Sequence, residues 1–135
     1  SIAQGKAYDY IQFCHVLEHL QEPLRTIQQI VKFNLREGGY IYIEVPIEEI
    51  MNEFAPMLML DPNAHYTVHE HINKYCLSSI EALIESTACL SILDLREDST
   101  SVGWVLPGVN DDGRIKIIRC LCRHTPDKTG VLSEC

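Results

Sequence analysis

Residues 8–46, "YDYIQFCHVLEHLQEPLRTIQQIVKFNLREGGYIYIEVP", decide the fold. The first part, "AYDYIQF" over residues 7–13, mixes aromatic and β-branched residues and reads as a strand. Pro23 then sits where the first turn of a helix tolerates proline. Leu24, Ile27, Val31 and Leu35 recur at three- and four-residue steps, with Ile30 widening the stripe, so the helix has one buried face. Gly38 and Gly39 are expected to end it. "YIYIEV", residues 40–45, follows as a mainly apolar strand stopped by Pro46, suited to cover on both faces. Strand, helix and strand with short connections make a βαβ unit, and two parallel strands.

Further along, "IEEIMNEFAPMLML" suggests helical turns around Met51 and Phe54, broken at Pro56, and "DPNAHYTVHEHINKYC" reads as a loop. Ser78, three residues before Glu81, forms a capping box that opens a helix through Ile80, Leu83, Ile84 and Ala88. "LSILDL" (90–95) is the next strand, "VGWVL" (102–106) a short one, "NDDG" (110–113) a turn, and "RIKIIRCLC" (114–122) the last strand.

The bulk composition limits the classes of function. A chain of 135 residues with 46% apolar and 22% charged content is expected to form one domain. Its net charge of −8 argues against nucleic acid, whose phosphates need clustered Lys and Arg. No membrane helix and no signal segment is visible, which makes a cytoplasmic setting the expectation. Six cysteines without a C-x-x-C pair indicate neither a disulfide framework nor a cysteine-based metal knuckle.

"HVLEH", residues 15–19, also fits the inverted zinc-protease pattern H-x-x-E-H, with His15, Glu18 and His19 in the roles of the motif. That chemistry needs both imidazoles on one helix. The residues before His15 read as a strand and Pro23 starts a new helix four residues after His19, so the scaffold is wrong. A zinc hydrolase is therefore the lesser reading, and no metal site is expected. The structural alternative for Glu18 and His19 is to satisfy backbone groups at the strand exit.

Taken together, residues 8–46 resemble the second half of a class I S-adenosylmethionine-dependent methyltransferase. In that family the fourth strand runs into V-L-E-H, a Pro-started helix and a Gly-Gly turn follow, and the fifth strand ends in E-V-P. The stretch "HEHINKYCLSSIEALIESTACLSILDL" is similar to the family's E-H-x-x-x-(Tyr/Phe) segment, capped helix and sixth strand, and the final strand corresponds to the antiparallel seventh. The resemblance implies an α/β, Rossmann-like methyltransferase fold, truncated, with a mostly parallel sheet and a C-terminal antiparallel strand. The glycine-rich loop after the first strand and the acidic residue ending the second are absent. Residues 1–135 are thus expected to be the C-terminal part of a single methyltransferase domain without its N-terminal cofactor-binding half.

The same resemblance assigns the site. Ligands of open α/β sheets sit beyond the carboxyl ends of the strands. There Phe13, Cys14 and His15 are expected to border the methionine part of S-adenosylmethionine, and Glu44 to need a hydrogen-bonding partner at the neighbouring strand end. Glu70 and His71, followed by Tyr75, resemble the Glu-His pair of sugar C-methyltransferases, in which the histidine acts as a base. The implied activity is methyl transfer to a small molecule such as a sugar or another biosynthetic intermediate, once the missing half completes the domain. The alternative of a different class is a non-catalytic half-domain that serves as a binding or pairing module.

Overall fold

Four strands and two helices form the described part of the chain. The structure is a computed structural model and describes residues 7–47, 71–103, 105 and 111–126. Strand β1 spans Tyr8–Cys14, a single 3-10 turn covers Leu17–His19, and helix α1 spans Pro23–Asn34 with Pro23 in its first turn. Strand β2 (Leu35–Pro46), helix α2 (Leu77–Glu85), strand β3 (Leu90–Ser101) and strand β4 (Arg114–His124) complete it.

The sheet order is β1-β2-β4-β3. β1 and β2 are parallel, with Phe13 opposite Ile43 and Cys14 opposite Glu44. β4 lies antiparallel between β2 and β3, so that Cys120 faces Ile43 on one side and Leu95 on the other. Three strands run one way and the last runs against them, as the family resemblance implies.

Side-chain alternation explains which face is covered. Ile41, Ile43 and Val45 of β2 are fully buried, together with Ile118, Cys120 and Cys122 of β4. They meet Ile27 and Val31 of α1 and Ile80 and Ile84 of α2 in one core cluster. Burying one such Ile or Val stabilises the fold by about 1.5–3 kcal/mol. The intervening Tyr40, Tyr42 and Glu44 point to the other face, where Tyr40 remains exposed. The expectation that β2 is covered on both faces therefore fails among the described residues: its second set is amphipathic, not apolar.

Several boundaries also move. Helix α1 stops at Asn34 rather than at the glycine pair, because Leu35 turns extended (φ −101°, ψ 128°) and is drawn into the core opposite Tyr8. Gly38 lies instead inside β2 at φ 77°, and a Cβ on Gly39 would meet Asp9 O of β1 at 3.0 Å. Glycine is needed there for close approach of two strands. Helix α2 is capped by Cys76 with Ser79, not by Ser78 with Glu81: Cys76 N–H donates to Ser79 Oγ at 2.9 Å. Tyr75, bridged to Ile47, fixes the chain just ahead of it.

β3 runs six residues past Leu95, since its polar Arg96–Ser101 still pair with β4 down to Ser101 opposite Arg114. An edge strand keeps its ladder without being apolar. The short strand expected at 102–106 does not form at Val102 and Gly103, where a single bond from Val102 N to Gly113 O (2.9 Å) closes the ladder. The turns expected around Met51 and Phe54 lie outside the described residues. Cys89 is disulfide-bonded, whereas Cys14, Cys76, Cys120 and Cys122 carry free thiols. No described helix is long and apolar enough to cross a membrane.

Candidate functional site

Parallel pairing brings the carboxyl ends of β1 and β2 side by side. His15 extends the ladder by one bond, from its N–H to Glu44 O at 2.9 Å, and then leaves it at φ 53°. A positive φ at a non-glycine residue marks an abrupt change of direction that the surrounding structure must hold. Here the holding groups are visible. His15 Nε2 lies 3.3 Å from Glu44 Oε1, while its Nδ1 faces Glu18 Oε1 at 3.7 Å.

Glu44 anchors one side of this ledge. Tyr42 donates its hydroxyl to Glu44 Oε2 at 2.7 Å, and Arg119 Nε of β4 reaches the same oxygen at 3.3 Å. Arg119 in turn pairs with Asp98 of β3. Burial by itself would raise the Glu44 carboxyl's pKa, but the donors Tyr42, Arg119 and His15 outweigh it and hold the group below the usual range. Burial and the neighbouring carboxylate push Tyr42 up to about 12. Cys14 is raised too, by burial first and Glu44 second, so its thiol stays protonated.

The other side of the ledge is stitched from a distant segment. Asn73 Nδ2 donates to Leu17 O at 3.1 Å and also to Leu20 O, and Asn73 N–H donates to Glu18 O at 3.0 Å. The Tyr75 hydroxyl donates to Leu17 O at 3.2 Å, and burial followed by the Glu18 charge push it up to about 12. These bonds carry His71 to the strand exit, where its ring meets that of His19 edge-on with centroids 4.6 Å apart. One side-chain atom from each of Glu18, His19 and His71 falls within 4.8 Å of the others.

The residues singled out in the sequence are placed unevenly. Cys14 and His15 lie on the ledge, exposed or half-buried. The Phe13 ring is turned into the core, so only its backbone borders the ledge. Glu70 lies outside the described residues; the carboxylate gathered with His71 is Glu18. His15 and His19 share no helix, since a left-handed residue and one short turn separate β1 from α1. The inverted zinc-protease arrangement is thus not formed. Arg119, Asp98 and Asn73 were missed. Arg119 alone left a trace, as a charge inside the apolar run "IIRCLC".

The ledge suits part of the expected cofactor. Behind the partly open His15, the carboxylates of Glu18 (1% exposed) and Glu44 (13% exposed) give this corner a negative field, partly offset by Arg119 beside Glu44. That field favours a cationic sulfonium over an anion.

Comparison with known proteins agrees with the fold. A family model described as "Methyltransferase domain" matches residues 2–87. A protein from Bacillus halodurans C-125 assigned as a methyltransferase superposes with a TM-score of 0.63 at 10% identity, covering 93% of this chain and 68% of that one. A SAM-dependent methyltransferase from Methanosarcina mazei gives 0.59 at 10% identity, covering 88% of this chain and 60% of its own. The [4+2]-cyclase SpnF gives 0.52 at 15% identity, with 93% and 52% covered. The chain therefore spans between half and about two thirds of these structures. No curated protein matches its sequence.

Proposed function

Because the chain belongs to the methyltransferase-domain family, we propose that its ledge serves S-adenosylmethionine-dependent methyl transfer to a small-molecule acceptor, in a domain completed by a further cofactor-binding part. The observation that carries this reading is the parallel pairing of Cys14 with Glu44, which sets His15 at a corner open to solvent beyond two strand ends. Ligands of open α/β sheets bind at such corners.

Bound at this ledge, the cofactor would supply a methyl group activated by its sulfonium and would leave as the neutral thioether. The chain's own part is positioning and proton handling. Backbone at Phe13 and side chains of Cys14 and His15 border the methionine end. His71 takes the acceptor's proton where one has to leave, with Glu70 as its partner. A sugar or a related biosynthetic intermediate and a cytoplasmic setting belong to the same reading.

Calorimetric titration with S-adenosylmethionine and S-adenosylhomocysteine tests it, on the 135-residue chain and on the protein extended upstream in its reading frame. Binding to the longer protein, with transfer of a labelled methyl group that falls at least about tenfold in His71→Ala, is expected. Absence of binding in both forms would favour a non-catalytic pairing module instead. Wild-type turnover in His71→Ala would remove the base.

A further inference from the structure

We propose that Glu18, His19 and His71 bind one divalent cation of the zinc class, leaving one coordination position open to an oxygen ligand. The site stands on its own geometry; only its use in methyl transfer rests on the function proposed above.

Glu18 is the anomaly that calls for a ligand. Its side chain is 1% exposed, and neither carboxylate oxygen accepts a hydrogen bond among the described residues. A carboxylate removed from water needs donors or a cation close by. Among the described residues, the basic atoms beside it are His15 Nδ1 at 3.7 Å and His19 Nε2 at 3.9 Å, both beyond hydrogen-bond reach. A cation between the carboxylate and the imidazoles would meet the need of the first, with one ring nitrogen of each imidazole as a ligand.

The donor set and its spacing fit that ion. Two imidazoles and one carboxylate with an open fourth place make a zinc set that polarises a bound oxygen. The three ligand atoms lie within 4.8 Å of one another. Zinc bonds of about 2.0–2.2 Å at tetrahedral angles place ligand atoms about 3.3 Å apart, so closure takes side-chain movement on the order of 1 Å. The two rings stand at 84° to each other, an arrangement from which both lone pairs can converge without stacking. The backbone beneath is already fixed, because Asn73 ties the His71 segment to the turn that carries Glu18 and His19.

The position next to His15 puts an oxygen bound to the cation at the same ledge. An acceptor presenting a hydroxyl is the class this favours, since a cation lowers the pKa of an oxygen it holds. While it holds the cation His71 is a ligand and not the base proposed above, so the two roles exclude each other. A chelator that lowers methyl transfer as His71→Ala does assigns the residue to the cation, and one without effect assigns it to the base.

Titration of the full chain with Zn2+ against a chromogenic chelator, and the Co2+ absorption spectrum, test the site. One equivalent is expected, with no thiolate-to-cobalt band, and affinity is expected to fall by about tenfold or more in both His19→Ala and His71→Ala. Those two side chains are partly exposed, so their removal spares the core; Glu18→Gln is the third variant, read only where its circular dichroism matches wild type. No binding, binding unchanged in both histidine variants, or a thiolate band from Cys120 and Cys122 would overturn the proposal. A bound cation in a protein that transfers no methyl group would leave the site standing and remove the methyl-transfer reading. Methyl transfer unaffected by a chelator would detach the cation from the reaction.

Discussion

The side chain of Asn73 reaches across 56 positions of sequence to donate to the carbonyl of Leu17, 3.1 Å away. Leu17 is fully buried, and its carbonyl also takes the Tyr75 hydroxyl. Asn73→Ala removes two side-chain donors from the strand exit and leaves the Leu20 carbonyl short of one. A loss of about 1–3 kcal/mol in urea unfolding is expected. Unchanged stability would mean that the segment after residue 70 is held by other contacts.

Glu44 should set part of the acid limb of stability. Its folded pKa is depressed, so its contribution is full above the ordinary carboxylate value and disappears as pH falls through the lowered one. Arg119→Gln and Tyr42→Phe each remove a donor to Glu44 Oε2. Both should raise the Glu44 titration midpoint in carboxyl NMR, and so narrow and shrink the acid loss of stability that Glu44 contributes, ending it at a higher pH. A midpoint that stays put would show that His15 holds the charge alone.

The two adjacent glycines should respond differently to alanine. At Gly39 a Cβ would stand 2.9 Å from Arg36 O and 3.0 Å from Asp9 O, both backbone atoms that cannot easily yield. Gly39→Ala is expected to cost about 1–3 kcal/mol. Gly38 has open space, with Arg123 Nη2 nearest at 3.8 Å, but its φ of 77° strains an L-residue. Gly38→Ala is expected to cost about 1–2 kcal/mol. Equal loss of parallel pairing in both variants, followed by amide exchange in β1, would contradict this distinction.

Alkylation should separate the free thiols. Hydrogen bonds from Ser78 and Ser79 lower the Cys76 thiol to about 7, whereas burial and Glu44 raise Cys14. Cys120 and Cys122 are buried. Timed iodoacetamide labelling at neutral pH, read by peptide mass spectrometry, should therefore modify Cys76 first. Faster labelling of Cys14 would show that its thiol is less shielded than the fold implies.

Much of the architecture was legible because period and punctuation agree. Ile27 and Val31 at helical spacing, Pro23 ahead of them and the Ile41–Ile43–Val45 alternation leave few other topologies. Local rules failed where a contact from elsewhere decided: Leu35 leaves the helix to pair with Tyr8, and Cys76 displaces Ser78 as cap after Tyr75 is bridged to Ile47. The ledge itself was half legible. Cys14 and His15 follow from a strand end, but no spacing rule brings His71 to Glu18, because Asn73 makes that connection through backbone carbonyls.

The central place of β4 imposes an order on assembly. Until residues 114–124 have been synthesised, β2 and β3 have no shared neighbour, and the earlier strands wait as two separate pieces with bare edges. Most long-range pairing then forms in one late step, which makes for slow closure and a period of exposure to aggregation. A nascent chain of this protein is accordingly most in need of a chaperone just before β4 emerges.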